Sequence, residues 1–241
     1  MSESERQHRN DPETLHALYQ GPLEVLGRMP WSSNGTYLVT LDGEGHRKAI
    51  YKPLRGERPL WDFPSGLYRR EIAAYELSDA LGWGVVPPTV LRNGPMGEGS
   101  LQLFVEADFE QHYFTVSDDV RYRADLMAIC AFDIVANNTD RKSGHCLIGG
   151  DGRVYGIDNG LSFHAEFKLR TVLWDYAGQD IPQPLLEDLA RLRAAGLPAS
   201  VADLLDDDEE REACLERMDL LLSGRRFPAD PTGRRYPWPL V

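Results

Sequence analysis

Short apolar runs separated by turn-forming residues characterise the first hundred residues of the chain. The stretch PLEVLGRMPWSSNGTYLVTLDGEGHRKAIYKPL contains three such runs, divided by WSSNG and DGEGHR. Runs of this kind between Gly, Asn, Asp and Ser clusters are typical of strands joined by turns. Two further apolar runs, VVPPTVL and GSLQLFVE, follow later. The pattern predicts an antiparallel meander extended into a small sheet.

One helical pattern interrupts these strands. In PSGLYRREIAAYELSDALGWG, apolar residues recur at helical spacing, Ser65 stands where an N-cap is needed and Gly82 can end the helix. We expect a helix from about residue 66 to 81.

The second half of the chain is mostly helical in pattern. DDVRYRADLMAICAFDIVANN has apolar residues on nearly every face between Leu126 and Val135, as a helix buried in a core does. Two short strands, HCLIGG and RVYGID, are expected around the turn GGDGR. QPLLEDLARLRAAG and DEEREACLERMDLLLSG read as amphipathic helices, and a Pro-rich tail follows them.

These patterns together predict an α+β protein with two lobes. We expect a polar leader over residues 1–20, a β-rich N-lobe over 21–106, and a mostly helical C-lobe with a Pro-rich tail over 107–241. The lobes would join near Glu106 and leave a cleft between them, where ligands commonly bind.

Composition and charge exclude several classes of function. The 241 residues are 42% hydrophobic and 27% charged, which is an ordinary globular balance. The formal net charge of −12 disfavours a nucleic-acid partner, which attracts Lys and Arg. Three widely spaced cysteines signal neither a disulfide framework nor a zinc site. No apolar stretch has the length of a membrane span, so we expect no transmembrane segment and a cytoplasmic location.

Candidate phosphate-binding groups occur in the N-lobe. The turn in WSSNGTYLV consists of small residues whose backbone N–H groups could hold phosphate oxygens: Ser32, Ser33, Asn34, Gly35 and Thr36. An ordinary hairpin would also explain it. Lys52 ends the strand KAIYKP on the same side as Ile50, and so points either to water or to an anion in the cleft.

Glu71 is a candidate partner for this lysine. It lies on the apolar stripe of the predicted helix, where an isolated carboxylate would be costly to desolvate and should pair with a cation. Glu76 is the rival candidate, and the phase of the helix decides between them.

A second group of polar residues follows the buried helix. Asp140 lies in the loop NNTDRKSG, His145 begins the next strand, and Asp158 follows the strand after that. The short hairpin between them should bring these three side chains together. Asp133, inside the buried helix, is expected to accept hydrogen bonds that fix the loop.

The segments NTDR and GIDNGLSF resemble the catalytic and metal-binding segments of phosphatidylinositol 3/4-kinase-like enzymes. IDNGL is particularly similar to type II phosphatidylinositol 4-kinases, and NTDR also resembles HipA-like bacterial protein kinases. The resemblance covers roughly residues 30–165, with a loose glycine loop in its first half. It implies a bilobal protein-kinase-like fold that binds ATP with Mg²⁺ or Mn²⁺.

The resemblance also implies roles for individual residues. Lys52 would contact the α- and β-phosphates and pair with Glu71, Asp140 would be the catalytic aspartate, and Asp158 would bind the metal. The hinge that meets adenine would be QLFVE, with Gln102, Phe104, Val105 and Glu106 as its binding residues. Gly160 would let the backbone turn away after Asp158.

His145 departs from the family pattern. Kinases of this type place Asn five residues after the catalytic Asp. An imidazole prefers metal ions that are softer than Mg²⁺. Either His145 binds a metal and favours Mn²⁺, or that metal site is weakened, or His145 is a structural residue beside a one-metal site.

The leading hypothesis is therefore an ATP-dependent kinase whose acceptor is a protein Ser or Thr hydroxyl, including one of its own. Phosphorylation of a lipid or small molecule is the alternative within the enzymes, although the segment HAEFKLRTVLWDYAGQD offers only Lys168 and Arg170 for a membrane. A nucleotide-binding pseudokinase is an alternative from another class. A metal-dependent hydrolase using Asp140, His145 and Asp158 would leave Lys52 and Glu71 unexplained.

Overall fold

The computed structural model describes residues 11–30, 32–43 and 47–241. Its N-terminal part is one five-stranded antiparallel sheet with the strand order β1-β2-β3-β5-β4. The strands are β1 (Glu24–Arg28), β2 (Tyr37–Thr40), β3 (Lys48–Pro53), β4 (Thr89–Gly94) and β5 (Gly97–Leu103). The predicted meander of β1, β2 and β3 is confirmed.

Helix α1 (Pro12–Gln20) packs on this sheet. Asp11 caps it by accepting hydrogen bonds from the N–H groups of Glu13 and Thr14. Ala17 and Leu18 join a small core with residues of the sheet. The region interpreted as a polar leader therefore contains an amphipathic helix, while its first ten residues lie outside the described part of the chain.

Helix α2 (Leu67–Leu81) crosses from the sheet to the second half of the molecule. Gly82 ends it with a φ of 74°, as expected, because a left-handed residue satisfies the last carbonyls. The expected cap at Ser65 is wrong. Glu57 instead accepts hydrogen bonds from the N–H groups of Gly66 and Tyr68, at 2.8 and 2.9 Å, and so caps the helix from a separate loop.

The second half is mostly helical, as expected. Its helices are α3 (Tyr113–Val116), α4 (Arg123–Ala136), α5 (Gln183–Ala195), α6 (Ala199–Ala202) and α7 (Asp208–Gly224). A two-stranded sheet of β6 (Cys146–Ile148) and β7 (Val154–Gly156) packs beside α4. Every residue of α4 from Leu126 to Ala136 is buried, and all of them except Asp133 belong to the main hydrophobic core, which explains the apolar pattern on nearly every face.

Buried ion pairs join the two halves. Arg70, on α2, donates hydrogen bonds to Asp206 at 2.7 Å, to Glu210 at 2.6 Å, and to the carbonyl of Ser162 at 2.7 Å. Because the guanidinium is almost fully buried, these contacts fix α2 against the helical part. This orientation of α2 matters for the site, since α2 also carries Glu71.

Candidate active site

A cavity of about 440 Å³ lies between the sheet and the helical part. Its lining includes most of the side chains singled out in the sequence: Ser32, Ser33, Asn34, Gly35, Thr36, Lys52, Glu71, Asp140, His145 and Asp158. The loop between β1 and β2, strand β3, helix α2, and the loops flanking β6 and β7 supply them. Residues more than a hundred positions apart in the chain therefore share one pocket.

Lys52 connects two carboxylates of this cavity. Its ammonium donates a hydrogen bond to Glu71 and another, at 2.8 Å, to Asp158. Burial alone would lower the pKa of Lys52, but the carboxylates of Asp158 and Glu71 outweigh it and raise that pKa above its usual value. The lysine is therefore fully charged at neutral pH.

The phase of α2 settles the choice between the two glutamates. Glu71 is 3% exposed, and its second oxygen accepts a hydrogen bond of 2.9 Å from the N–H of Asn159. Glu76 is half-buried elsewhere on the helix, beside Ser200. The expected pairing of Lys52 with Glu71 is confirmed as a contact, and Glu71 also holds the segment that carries Asp158.

Asp158 adopts a left-handed backbone conformation, with a φ of 57°. Asp is one of the few residues with a side chain that tolerate this region. The conformation aims its carboxylate at Lys52, which holds the pKa of Asp158 well below its usual range. The positive φ is therefore adopted by Asp158 itself, and Gly160, which lies in the turn at residues 160–161, does not supply it.

Gly160 is needed for close packing instead. It does not have a positive φ, and a Cβ at this position would come within 3.3 Å of a Glu71 carboxylate oxygen and 3.5 Å of the Leu67 Cβ. The missing side chain lets the 158–160 segment lie directly against α2.

Asp140 faces the same cavity from the loop after α4. Its carboxylate lies 3.1 Å from the ammonium of Lys142, and its N–H donates to the side-chain oxygen of Asn138 at 2.9 Å. Burial raises the pKa of Asp140, and Lys142 opposes that shift. A carboxylate with a raised pKa is a better proton acceptor, which suits a general base.

His145 lies between Asp140 and Asp158, in a short 3₁₀ turn (Ser143–His145) that precedes β6. Its Nδ1 is 3.0 Å from the backbone carbonyl of Asp140, and its Nε2 is 3.5 Å from a carboxylate oxygen of Asp158. Burial lowers the pKa of His145 to about 4, so the ring is neutral at pH 7. Because a carbonyl can only accept, the proton belongs on Nδ1, and the lone pair on Nε2 faces Asp158.

This donor set fits a divalent cation. A lone pair on nitrogen and a carboxylate oxygen face each other with no proton between them, which is an arrangement that a metal ion completes. Among the described residues, no three His, Cys, Asp or Glu side chains converge into a metal site made by protein alone. The remaining ligands would therefore have to come from water or from a bound phosphate.

The loop at residues 32–36 differs from the expected phosphate cradle. The N–H of Gly35 already donates to the carbonyl of Gly56 at 2.7 Å, and that of Thr36 donates to Asn34 at 3.0 Å. Gly35 and Gly56 approach so closely that a Cβ on either would clash. Trp31 lies outside the described residues. The loop lines the cavity, but two of its five amides are committed to the protein.

The expected hinge lies away from this cavity. Gln102 is buried and donates to the hydroxyl of Thr89 at 2.8 Å, and the N–H of Phe104 donates to the carbonyl of Lys48 at 3.1 Å. None of the four hinge residues, all of them within the described part of the chain, lines the 440 Å³ cavity. Their role in binding adenine stays a prediction.

Arg141 was missed by the sequence reasoning. It is fully buried and pairs with Asp133 at 2.9 Å, and it also donates to the carbonyl of Ile157 at 2.5 Å and the side chain of Asn159 at 2.6 Å. The expected role of Asp133 as an acceptor that fixes the loop is confirmed. The signal was available: an arginine directly after Asp140 in a loop between two apolar segments.

Lys142 was missed as well. It follows Arg141, lines the cavity and lies beside Asp140.

His164 packs edge-on against Phe63, with ring centroids 5.4 Å apart, which agrees with a packing role.

The chain has a clear relative. Protein Rv2133c of Mycobacterium tuberculosis (strain ATCC 25618 / H37Rv) is 40% identical over an alignment 265 residues long, which covers 92% of this chain and 93% of that protein. The chain therefore belongs to the family of Protein Rv2133c. No protein-family model matches the chain.

Solved structures resemble this fold. The Golgi casein kinase with Mn/ADP bound has a TM-score of 0.62 at 17% identity, covering 95% of this chain and 80% of that chain. Hydra Fam20 with sugar has a TM-score of 0.53 at 17% identity, covering 89% and 88%. The chain thus has an atypical-kinase-like fold, and the predicted α+β architecture is confirmed.

No helix among the described residues is long and apolar enough to cross a membrane.

Proposed function

We propose that this chain is an ATP-dependent phosphotransferase that transfers the γ-phosphate to a hydroxyl group, most simply a Ser or Thr of a protein or of itself. The observation that carries the proposal is the position of Lys52, which bonds to both Glu71 and Asp158 in a cavity that also contains Asp140. Phosphoryl transfer needs positioning and charge neutralisation more than covalent chemistry, and these groups suffice for both.

In this proposal Glu71 orients Lys52 toward the α- and β-phosphates. Its burial and its second hydrogen bond, to the N–H of Asn159, leave the carboxylate a single position. The 32–36 loop would contact the phosphates through the N–H groups other than those of Gly35 and Thr36, and residues 102–106 would contact the base.

Asp140 would orient the acceptor hydroxyl and take its proton. Lys142, 3.1 Å away, adds a positive charge beside the position where the transferring phosphoryl group would lie. Asp158 and His145 would hold a divalent metal, Mg²⁺ or Mn²⁺, which neutralises phosphate charge when bound. The facing acceptor atoms of these two side chains support this assignment.

The charge of the segment after Asp158 bears on the kind of acceptor. Its Lys168 ammonium lies 3.8 Å from a carboxylate oxygen of Asp62 and 2.9 Å from the His164 ring, so this lysine already contacts protein groups. An anionic membrane would need a field of free basic residues. This favours a soluble protein acceptor over the phosphoinositide that the motif resemblance to phosphatidylinositol 3/4-kinase-like enzymes suggests.

Incubation with γ-labelled ATP tests the proposal. The protein would be given Mg²⁺ or Mn²⁺, alone, with candidate proteins, with phosphoinositide vesicles, and with simple sugars as small hydroxyl acceptors. Labelling of protein that is lost when Asp140 is substituted supports a protein acceptor. Labelling of lipid or sugar instead supports the lipid or small-molecule acceptor. Tight nucleotide binding with no transfer to any acceptor would indicate a pseudokinase.

Nucleotide binding has a matched control in strand β3. ATP with metal should raise the melting temperature, because a ligand at 100 times its Kd adds about 2.7 kcal/mol to the unfolding free energy. Lys52→Met should reduce this shift. Lys48→Met removes the same charge from the same strand face outside the cavity, where the side chain lies 3.7 Å from Glu106 and 6.0 Å from the centre of the Phe104 ring, and should reduce the shift less. Equal reductions of the melting-temperature shift in the two variants would show that Lys52 has no special role in nucleotide binding.

A further inference from the structure

The C-terminal tail returns to the catalytic loop. In its last part, residues 235–241, the carbonyl of Arg235 accepts hydrogen bonds from the N–H of Thr171 at 3.2 Å and the indole of Trp174 at 2.8 Å. The Arg235 guanidinium also lies 4.6 Å from the ring of Phe167. At its end, Leu240 packs against the main core, and its carbonyl accepts a hydrogen bond of 2.8 Å from the N–H of Ser143. Within residues 235–241, Arg235 and Leu240 thus provide two anchors, in addition to the contacts of Arg225 and Phe227 at the start of the tail.

The second anchor lies at a sensitive place. Ser143 stands between Asp140 and His145, and it is fully buried. Its hydroxyl has no hydrogen-bond partner among the described residues, and its backbone N–H donates to the carbonyl of Leu240. On either side the loop is held by other contacts, at Arg141 by Asp133 and at His145 by the N–H of Ile157.

Lys142 depends on this anchor most directly. It lies between the two fixed residues Arg141 and Ser143, and its ammonium lines the cavity 3.1 Å from Asp140. The 3₁₀ turn that begins at Ser143 also carries His145, which lines the cavity. A shift of Ser143 would therefore move both a cation and a candidate metal ligand within the cavity.

We propose that the tail residues from Arg235 to Leu240 act as a positioning element that sets the 142–145 loop for catalysis through the Leu240–Ser143 contact. This rests on the proposed function, since it assigns the tail to that same site. The tail touches no reacting group, and its effect should appear in turnover more than in nucleotide affinity.

Substitutions at Leu240 test the inference. Leu240→Asp places a charge where the side chain packs on the core and should release the end of the tail. Leu240→Ala is a milder release that keeps folding intact. Leu240→Met keeps an apolar side chain of similar volume at this position and should keep the tail anchored. Val241→Ala, at an exposed neighbouring residue, is the matched control.

Two measurements separate positioning from general stability. Hydrogen exchange should show faster exchange of the Ser143 amide in Leu240→Asp and Leu240→Ala, with α4 unchanged. Turnover should fall roughly 10- to 100-fold in kcat, because small misplacements are costly, while KM for ATP stays within about twofold. Leu240→Met and Val241→Ala should behave as wild type.

The outcomes are distinguishable from failure of the proposed function. A wild-type protein with no transfer to any acceptor overturns the proposed function, while the exchange of the Ser143 amide still reports on the tail. Normal exchange at Ser143 in both release variants overturns the inference. So does an equal loss of kcat and protection throughout the molecule, which would indicate simple destabilisation.

Discussion

Two groups of charged and polar residues meet at the site and differ in what surrounds them. The cavity group consists of Lys52, Glu71, Asp140 and Asp158. The interior group consists of Asp133, Arg141 and Asn159, all of them fully buried. Asp140 and Arg141 are neighbours in the chain, as are Asp158 and Asn159, yet the first of each pair faces the cavity and the second faces the core.

The difference separates chemistry from support. Each interior side chain is bonded to protein atoms, and Arg141 joins α4 to the segment of Ile157 and Asn159. In the cavity group, the Asp158 side chain is 53% exposed and Asp140 26%, so both can still meet a ligand. In each of the two loops, a residue that faces the cavity is thus followed in the chain by a residue that faces the core and holds the loop in place.

The largest expected effect separates the groups by activity. Asp140→Asn should reduce phosphoryl transfer by about 10² to 10⁴, the usual contribution of a general base, and should keep ATP binding. Its stability should change by less than about 0.5 kcal/mol, because the side chain is partly exposed and paired only with Lys142. Initial rates and chemical denaturation measure both. A folded Asp140→Asn protein with wild-type turnover would contradict the kinase assignment.

The next effect should be a loss of stability. Arg141→Met leaves Asp133 as a buried charge without its partner, which costs about 3–5 kcal/mol of unfolding free energy. Urea denaturation at pH 7 would measure it. Adding Asp133→Leu to this variant should recover part of the loss, because it removes the stranded charge. A loss below about 1 kcal/mol in Arg141→Met would show that the interior group is not the support described here.

His145 stands between the groups and gives a pH-dependent effect. Its pKa in the folded protein is about 4, below the ordinary 6.5, so the unfolded chain takes up the proton first as the pH falls. Its contribution to stability is complete above pH 6.5 and is lost as the pH falls toward 4, by up to about 3 kcal/mol. In metal-free protein, His145→Asn should lose less stability than wild type between pH 7 and 4.5. Identical pH profiles would place the ring in solvent.

The smallest effect concerns metal preference. If Nε2 of His145 binds the cation, wild-type turnover should favour Mn²⁺ over Mg²⁺, and His145→Asn should shift the preference toward Mg²⁺ by less than about tenfold. Rates in both metals for both proteins measure the shift. An unchanged ratio would leave His145 as a residue that only packs beside Asp158.

Much of this site follows from local sequence. The strands and helices came from periodicity, and Lys52, Glu71, Asp140 and Asp158 came from their positions at the ends or on the faces of these elements. Where the reasoning failed, a contact distant in sequence decided the outcome. Glu57 replaced Ser65 as the cap of α2, and Gly56 took the amide of Gly35 that was expected to bind phosphate.

Patterns within a few residues of each position were enough to predict most of the strands and helices, although not α1, and also the α+β class and the residues that could carry the chemistry. The packing of elements distant in the chain brings Lys52 to Glu71 rather than to Glu76, and gives the positive φ to Asp158 rather than to Gly160. It also decided that Leu240 reaches Ser143. Such contacts depend on how separate elements pack, and no local pattern encodes that arrangement.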